Sequence, residues 1–478
     1  MSEDEKQHEG TAAAVTGQAE TTGVVVPGES EPEAPAAESV PAEPATADAA
    51  PAESAPAEPA TVDAAPADAA SAPAPAPAPE PPVIRRQSLS LRSGLCDMRV
   101  GVGAAERMGQ DLRGLVGKPR RALLVSAAGT DPELLEQTRR SLVDVGFDVR
   151  THELPAGRPA RQLSEVNGLF SVLDENSITA DDAIVAVGDA DVISALVYVA
   201  ANWCGGCALV ALPTTLDGMV DISVTPRAID LPGSPDMLLT RGCVRLIICD
   251  PSVCGDLAEA TPTTLMGRCV MVAGALAAGE TSFSELGLHA DGVAAGTADD
   301  VIEMVMTLTK SRCRIASSSA IAIRQGISYG VGLARALKAS LLEGAGADGS
   351  VATLDGALPA DALLLAEGLR ISSRLSAAHQ ASATDTKAVD LVFAQDALLE
   401  RLGLGEVACD IDPERLLANL KACELKRQNR FMLTLPLDYG RVRLTAIEDE
   451  MLLQHLGAWC KLRRRLLRKL RRAAGAGE

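Results

Sequence analysis

The residues best suited to chemistry lie in one segment, residues 181–227. Within it, an apolar run ends at Gly188, and a second apolar run ends at Pro213-Thr214-Thr215. Asp221 and Arg227 follow a few residues later, in the sequence Val-Asp-Ile-Ser-Val-Thr-Pro-Arg. A parallel sheet places its ligand site at the ends of its strands, so these residues are expected to lie at a ligand site.

The surrounding pattern predicts the elements that position these residues. A strand, a turn, a helix over 192–202 and a second strand form the unit from which parallel sheets are built. Thr130 or Asp131 is expected to cap another helix, with Pro132 in its first turn. This alternation predicts an α/β domain with a parallel, Rossmann-like sheet. The predicted strands span residues 122–127, 148–152, 183–187, 208–212 and 244–249.

The pattern changes to helices alone after about residue 252, apart from two short strands predicted around Tyr439-Gly440. We therefore expect an all-α C-terminal domain, with a cleft between it and the α/β domain. The predicted helices span 266–278, 299–310, 321–343, 359–378, 388–402, 413–425 and 448–470. The predicted boundaries are a tail over 1–83, the α/β domain over 84–251, the helical domain over 252–460 and a basic tail over 461–478.

Charge is distributed unevenly along the chain. The net charge of −20 argues against a general nucleic-acid binder. Residues 1–83 are rich in Ala, Pro and Glu, hold one basic residue (Lys6) and predict a disordered spacer, docking tail or solubilising tail. The last residues are rich in Arg, Lys and Leu, and could contact anionic lipid, nucleic acid or the acidic tail, or remain a solvated helix end.

The cysteines and the hydropathy indicate a cellular setting. Eleven cysteines without a disulfide-framework spacing favour a reducing cytoplasm. The polar, acidic start carries no signal-peptide pattern, and no apolar run is long enough for a membrane span. Cys204-Gly-Gly-Cys207 is compatible with a redox pair, but also with small residues at a corner between a helix and a strand.

Several motifs together resemble the 3-dehydroquinate synthase family of the sugar phosphate cyclase superfamily. They are Pro-Thr-Thr-Leu followed by Val-Asp221, an earlier Pro-Ala-Gly-Arg-Pro-Ala-Arg161, Asp250-Pro251, and Glu-Leu-Lys426-Arg before a Leu-Pro strand. The resemblance covers residues 83–456 and is carried by the order and spacing of the motifs. The same two-layer plan occurs in iron-type alcohol and glycerol dehydrogenases, which lack this spacing.

The resemblance implies a carbon–oxygen lyase of the shikimate pathway, which serves aromatic amino acid biosynthesis. That family uses NAD and a divalent metal to eliminate phosphate from 3-deoxy-D-arabino-heptulosonate 7-phosphate and close the ring to 3-dehydroquinate. Carried over by motif, Gly188, Thr214 and Thr215 would bind the cofactor. Asp221, Arg227 and Lys426 would bind the phosphorylated sugar acid.

The chain departs from the family's nucleotide-binding turn. The Gly-Gly-Gly turn of the family falls on Gly188-Asp189-Ala190, followed by Asp191. Carboxylates there would repel a pyrophosphate and compete for its amide donors, so weakened NAD binding is expected. Alternatively, Asp189 and Asp191 only cap the following helix.

The chain also departs from the family's metal site. The metal-binding Glu of the family falls on Cys269, and Gln325 is the nearest match to one of its two His ligands. The five His residues of the chain all lie outside 310–341, where both His ligands belong. We therefore expect no tight divalent-metal site and assign no catalytic residue.

Two classes of function remain open. One is a divergent 3-dehydroquinate synthase-like lyase, whose activity these departures put in doubt. The other is a catalytically degenerate homologue that acts as a binding or scaffolding protein. A related cyclase or dehydrogenase with a changed substrate and no metal is a third reading, and a homodimer is compatible with each.

Overall fold

The computed structural model describes residues 83–117, 120–239, 242–381 and 387–475. The predicted acidic tail therefore lies outside the described residues, apart from Val83. Within the described part, no helix is long and apolar enough to cross a bilayer.

A seven-stranded sheet forms the first layer of the fold. Its strand order is β1-β2-β9-β6-β5-β3-β4. The pair β1–β2 is antiparallel, and all the remaining neighbouring pairs are parallel. The strands of this sheet are β1 (Arg85–Leu91), β2 (Gly94–Val100), β3 (Arg121–Ala127), β4 (Asp148–Leu154), β5 (Ala183–Gly188), β6 (Ala208–Pro213) and β9 (Leu246–Cys249). A hairpin of β7 (Ile229–Leu231) and β8 (Ser234–Leu238) lies outside it.

Helices cover both faces of the sheet, which explains why its central strands are continuously apolar. In β5, Ile184 and Ala186 join one hydrophobic core, whereas Val185 and Val187 join another. The first core includes α4 (Ala190–Asn202) and α6 (Pro262–Ala278), and the second includes α1 (Met108–Val116) and α2 (Pro132–Asp144). The predicted α/β architecture is confirmed.

The chain beyond the sheet is helical, as predicted, with a hairpin of β10 (Leu433–Asp438) and β11 (Arg441–Thr445). The remaining helices are α3 (Leu163–Glu175), α5 (Leu216–Asp221), α7 (Glu280–Ala294), α8 (Ala298–Ala316), α9 (Ile321–Arg324), α10 (Val331–Glu343), α11 (Asp361–His379), α12 (Lys387–Arg401), α13 (Pro413–Leu425) and α14 (Asp449–Gly475). The predicted basic tail is mostly the end of α14, so for residues 461–475 the structure gives a helix.

Three local features of the structure differ from the sequence prediction. The hairpins β1–β2 and β7–β8 were not predicted, because their strands are short and mixed in polarity. The helix predicted over 321–343 is broken between α9 and α10. Gly330 has a left-handed φ of 78°, and a Cβ there would lie 2.7 Å from Leu369 Cδ2 on α11. The left-handed backbone at Gly330 interrupts the helical path before α10, and the close approach of α11 leaves no room for a side chain at this position.

Candidate functional site

The turn after β5 brings the predicted nucleotide residues together. The amide of Thr214 donates to the carbonyl of Gly188 at 2.9 Å, and Thr215 caps α5, with Gly218 N 3.4 Å from its hydroxyl. A Cβ on Gly188 would lie 2.8 Å from Ala127 Cβ at the end of β3, so glycine is needed for this close approach of two strands. Gly188, Thr214 and Thr215 therefore share the carboxyl edge of the sheet, as their spacing predicted.

Asp189 places its own carboxylate at the start of α4. Its Oδ1 accepts from the amides of Asp191 at 2.8 Å and Val192 at 3.0 Å. Its Oδ2 accepts from the amide of Gly157 at 2.7 Å, in the Pro-Ala-Gly-Arg turn. The capping interpretation is confirmed for Asp189. The free amides of a helix N-terminus usually attract an external anion. At the start of α4 these amides already donate to the carboxylate of Asp189.

Asp191 does not cap the helix, so the capping interpretation is wrong for this residue. Its carboxylate lies 2.6 Å from Arg161 Nε and 3.0 Å from Arg227 Nη1. Burial alone would raise the pKa of Asp191, but Arg227 and Arg161 outweigh it and hold that pKa below its usual range. Arg227, predicted to bind substrate, is thereby committed to an internal ion pair.

Arg227 also pairs with Asp217, a residue that sequence reasoning missed. The Asp217 side chain is 3% exposed, and its Oδ1 has no hydrogen-bond partner among the described residues. Burial raises the pKa of Asp217 despite the neighbouring Arg227. A Cβ on Gly267 of α6 would lie 2.9 Å from the Asp217 amide, so the packing of α6 buries this carboxyl.

The pairing continues outward onto the β7–β8 hairpin. Asp230 Oδ2 lies 2.8 Å from Arg158 Nε, and Asp236 Oδ1 lies 3.2 Å from Arg158 Nη2 and 3.1 Å from Arg161 Nη1. Arg335 of α10 approaches the other oxygen of Asp236 at 3.4 Å. Four arginines and four aspartates thus form one connected set, called here the Asp–Arg network: Arg158, Arg161, Arg227, Arg335, Asp191, Asp217, Asp230 and Asp236.

Asp221, the other predicted substrate residue, pairs with Arg312 of α8 at 2.6 Å. Arg312 also donates to the Thr225 hydroxyl at 2.7 Å, and that hydroxyl bonds Asp221. The sequence interpretation did not identify Arg312, which stands mid-helix in a region with no recognised motif. Asp221, the last residue of α5, therefore joins that helix to α8.

Lys426 lies elsewhere, at a cavity beside the helical part. The cavity has a volume of about 410 Å³ and is lined by residues of α10, the β7–β8 hairpin and the chain following α13. Lys426, Arg427 and Arg335 supply its positive charge, and Asp236 and Glu424 its carboxyls. Lys426 Nζ lies 3.4 Å from the carbonyl of Gly233. The predicted site residues thus fall into two places, joined by Asp236 of the Asp–Arg network.

The electrostatics of this cavity favour an anion. Burial is the largest cause that lowers the pKa of Arg427, and the positive charge of Arg335 lowers it further. The repulsion between these two guanidinium groups is therefore not fully compensated by the nearby carboxyls. Arg427 Nε is buried and has no hydrogen-bond partner among the described residues. Burial raises the pKa of Glu424 and so opposes its negative charge.

The positions matched to the family's metal ligands have different surroundings. Cys269 is fully buried within the first hydrophobic core, and burial raises the pKa of its thiol well above the usual range. Gln325 lines the cavity just described. No group of three or more His, Cys, Asp or Glu side chains placed to hold a metal ion occurs within residues that the structure describes.

Comparison with known proteins points to one family. The family model for the 3-dehydroquinate synthase N-terminal region matches residues 151–263. The 3-dehydroquinate synthase of Symbiobacterium thermophilum is 31% identical over 152 residues, which cover 32% of this chain and 42% of that enzyme. The enzyme of Latilactobacillus sakei is 26% identical over 187 residues, or 39% of this chain and 52% of that protein. The chain spans about half the length of these curated relatives.

The solved structures agree in fold. A 2-deoxy-scyllo-inosose synthase, complexed with carbaglucose-6-phosphate, NAD+ and Co2+, superposes with a TM-score of 0.63 at 14% identity, covering 78% of this chain and 99% of that one. A 2-epi-5-epi-valiolone synthase from Streptomyces hygroscopicus, with NAD+ and Zn2+ bound, gives 0.61 at 15% identity, covering 77% and 96%. The chain is thus similar to 3-dehydroquinate synthases over residues 151–263 and shares its fold with these cyclases. An iron-containing alcohol dehydrogenase superposes less well on this 3-dehydroquinate synthase-like chain, at 0.52.

The Asp–Arg network of this 3-dehydroquinate synthase-like protein should make its stability depend on acid pH. The pKa values of Asp191 and Asp236 lie below the ordinary 3.8, so their ion pairs stabilise the fold fully above that value. That stabilisation is lost as the pH falls through the lowered pKa values. The free energy of unfolding, measured by urea denaturation between about pH 5 and pH 2, should therefore fall less steeply in Asp236→Asn than in the unmodified protein.

A matched control is Asp181→Asn, since Asp181 is 75% exposed and lies 3.6 Å from an exposed arginine. Its pH profile should follow the unmodified protein. Equal slopes for Asp236→Asn and the unmodified protein would contradict the assignment of the acid sensitivity to the network.

Proposed function

We propose that this protein is a catalytically degenerate 3-dehydroquinate synthase-like homologue that binds a small anion, of the phosphorylated sugar-acid class, in the cavity at Lys426. The observation that carries this proposal is the state of the nucleotide turn. Asp189 holds three amides there, and Asp191 holds Arg161 and Arg227.

The residues present at this turn do not fit NAD. A pyrophosphate at the start of α4 needs free amides, and those of Asp191 and Val192 already donate to Asp189. Arg227, a cation beside this turn, is held by two carboxylates. A bound pyrophosphate would have to displace this internal anion and separate buried ion pairs.

The residues matched to the metal ligands also do not fit a catalytic ion. Catalytic zinc sites use three protein ligands, chosen from His, carboxylate and thiolate. Here one position is a thiol, Cys269, whose raised pKa favours the neutral form. Another position is the side-chain amide of Gln325, which is not one of these ligand types. The residues present therefore support no step of the family's elimination.

The cavity offers what an anionic ligand requires. Its volume of about 410 Å³ is within the range of small-molecule sites. Arg335, Lys426 and Arg427 bring positive charge to its lining. An anion there would reduce the repulsion between Arg335 and Arg427.

Calorimetric titration with inorganic phosphate and with the family's seven-carbon phosphorylated substrate tests this binding. Replacing Lys426 by Met should weaken binding by about tenfold, equivalent to about 1.4 kcal/mol. Lys338→Met is the matched control, because Lys338 lies one turn after Arg335 on α10, pairs with Asp361 and does not line the cavity. Equal affinity of both variants for the anion, or no anion binding by the unmodified protein, would contradict the proposed site.

A second candidate, an active lyase, is favoured by the retained contact of Gly188, Thr214 and Thr215. A phosphate-release assay with NAD and zinc or cobalt separates the two. Release above the uncatalysed rate would overturn the degenerate assignment while leaving the anion site intact.

A further inference from the structure

A compact loop carrying two cysteines joins α4 to β6. It reads Trp203-Cys204-Gly205-Gly206-Cys207. The amide of Gly206 donates to the carbonyl of Trp203 at 2.8 Å, and the amide of Cys207 donates to the carbonyl of Ala200 at 3.0 Å. The loop therefore folds back on the last turn of α4 and holds Cys207 there.

The backbone of this loop is unusual at Cys204. It has φ 51° and ψ 30°, a left-handed conformation that L-residues other than Asn and Asp rarely adopt. Gly205 and Gly206 follow with φ of 80° and 115°. Glycine or asparagine at 204 would form this turn at a lower cost in backbone strain, so packing and turn geometry do not explain a cysteine.

The two thiols stand three positions apart in one turn and differ in access. All eleven cysteines lie in the described ranges, and Cys204 is the exposed one among them. Burial, with the neighbouring Cys204 next, raises the pKa of Cys207 to about 12. Trp203 fixes the base of the loop, since its indole nitrogen donates to the carbonyl of Ile178 at 2.8 Å.

We propose that Cys204 and Cys207 form a reversible disulfide with each other. The oxidant is a low-molecular-weight disulfide such as oxidised glutathione. The thiolate of Cys204 attacks one sulfur of that disulfide and releases the first glutathione thiolate. Cys207 then loses its proton to water and attacks Cys204 Sγ, which releases the second. Two protein thiols are oxidised to one disulfide, and one glutathione disulfide is reduced to two thiols.

Two features of the loop favour ring closure over a stable mixed disulfide. The ring spans only two intervening residues, so little chain entropy is lost when it closes. Those residues are glycines, which tolerate the positive φ values that so tight a ring requires. A disulfide of this exposed kind is readily reduced again, which suits a cytoplasmic redox response rather than a structural staple.

The test uses the full chain, equilibrated with a series of glutathione ratios, quenched by alkylation and digested with trypsin. Cleavage after Arg161 and Arg227 gives the fragment 162–227, whose only cysteines are Cys204 and Cys207. We expect this fragment to lose two hydrogen atoms and both alkylation sites as oxidised glutathione increases, and to regain them on reduction.

Single variants identify the order of attack. Cys207→Ser should accumulate a glutathione adduct on Cys204, whereas Cys204→Ser should leave the fragment largely unmodified. A fragment that keeps both thiols in oxidised glutathione alone would overturn the proposal, as would a stable glutathione adduct on the unmodified chain. Both outcomes are independent of anion or NAD binding.

Discussion

Replacing Arg161 by alanine should lower the free energy of unfolding by about 3 kcal/mol, the largest effect on stability expected in the Asp–Arg network. The Arg161 side chain is 5% exposed and lies within 3.6 Å of Asp191, Asp230 and Asp236. Its removal leaves an excess buried carboxylate that Arg158 and Arg227 cannot fully compensate. The measurement is the midpoint and slope of urea denaturation.

The matched control for this variant is Arg150→Ala. Arg150 pairs with Asp148 at 3.2 Å, but both side chains are more than half exposed, so the loss should be below about 0.5 kcal/mol. Arg161→Lys keeps the charge but not the forked geometry and should be intermediate. If Arg161→Ala is no less stable than Arg150→Ala, the Asp–Arg network does not stabilise the fold at the nucleotide turn.

Replacing Asp189 by glycine should raise the affinity for NAD by more than tenfold. A pyrophosphate charge about 4 Å from the Asp189 carboxylate would be opposed by about 4 kcal/mol at an effective dielectric of about 20, and solvent reduces this. Half of that repulsion still corresponds to a factor of about thirty in affinity. The substitution also frees the amides of Asp191, Val192 and Gly157. Calorimetric titration with NAD measures the gain.

Glycine is tolerated at a helix N-cap, so Asp189→Gly should cost the fold only modestly. Asp412→Gly is the matched control, because Asp412 caps α13 in the same way at a site remote from the turn after β5. It should leave NAD affinity unchanged. Micromolar NAD binding by the unmodified protein would show that Asp189 yields its amides to the cofactor, and the degenerate assignment would then fail.

Arg161→Ala and Asp189→Gly both concern the internal charges at the nucleotide turn. Arg161→Ala tests whether internal charges stabilise the turn, and Asp189→Gly tests whether an internal charge excludes an external one. The internal carboxylate of Asp189 accepts from the amides at the start of α4, and at the same position it opposes an external anion.

The sequence by itself determined five of the seven strands of the sheet, namely β3, β4, β5, β6 and β9. Runs such as 183–187 and 208–212 are apolar throughout. This pattern is typical of a strand that helices cover on both faces. Asp131 and Pro132 fixed the start of α2, because a side-chain acceptor before a proline satisfies the first amides of a helix. The juxtaposition of Gly188 with Thr214 also followed from sequence, since parallel neighbours end at the same edge.

Tertiary structure alone decided how the charged residues pair. Asp191 and Arg161 are thirty positions apart, and Arg312 and Asp221 are ninety-one apart, so no local periodicity connects them. Lys426 and Arg227 were grouped as substrate residues by motif, yet the fold gives Arg227 to Asp191 and Asp217 and gives Lys426 to a separate cavity. Local propensity depends on near neighbours along the chain, whereas ion-pair partners depend on which surfaces the packing of α6, α8 and α10 brings together.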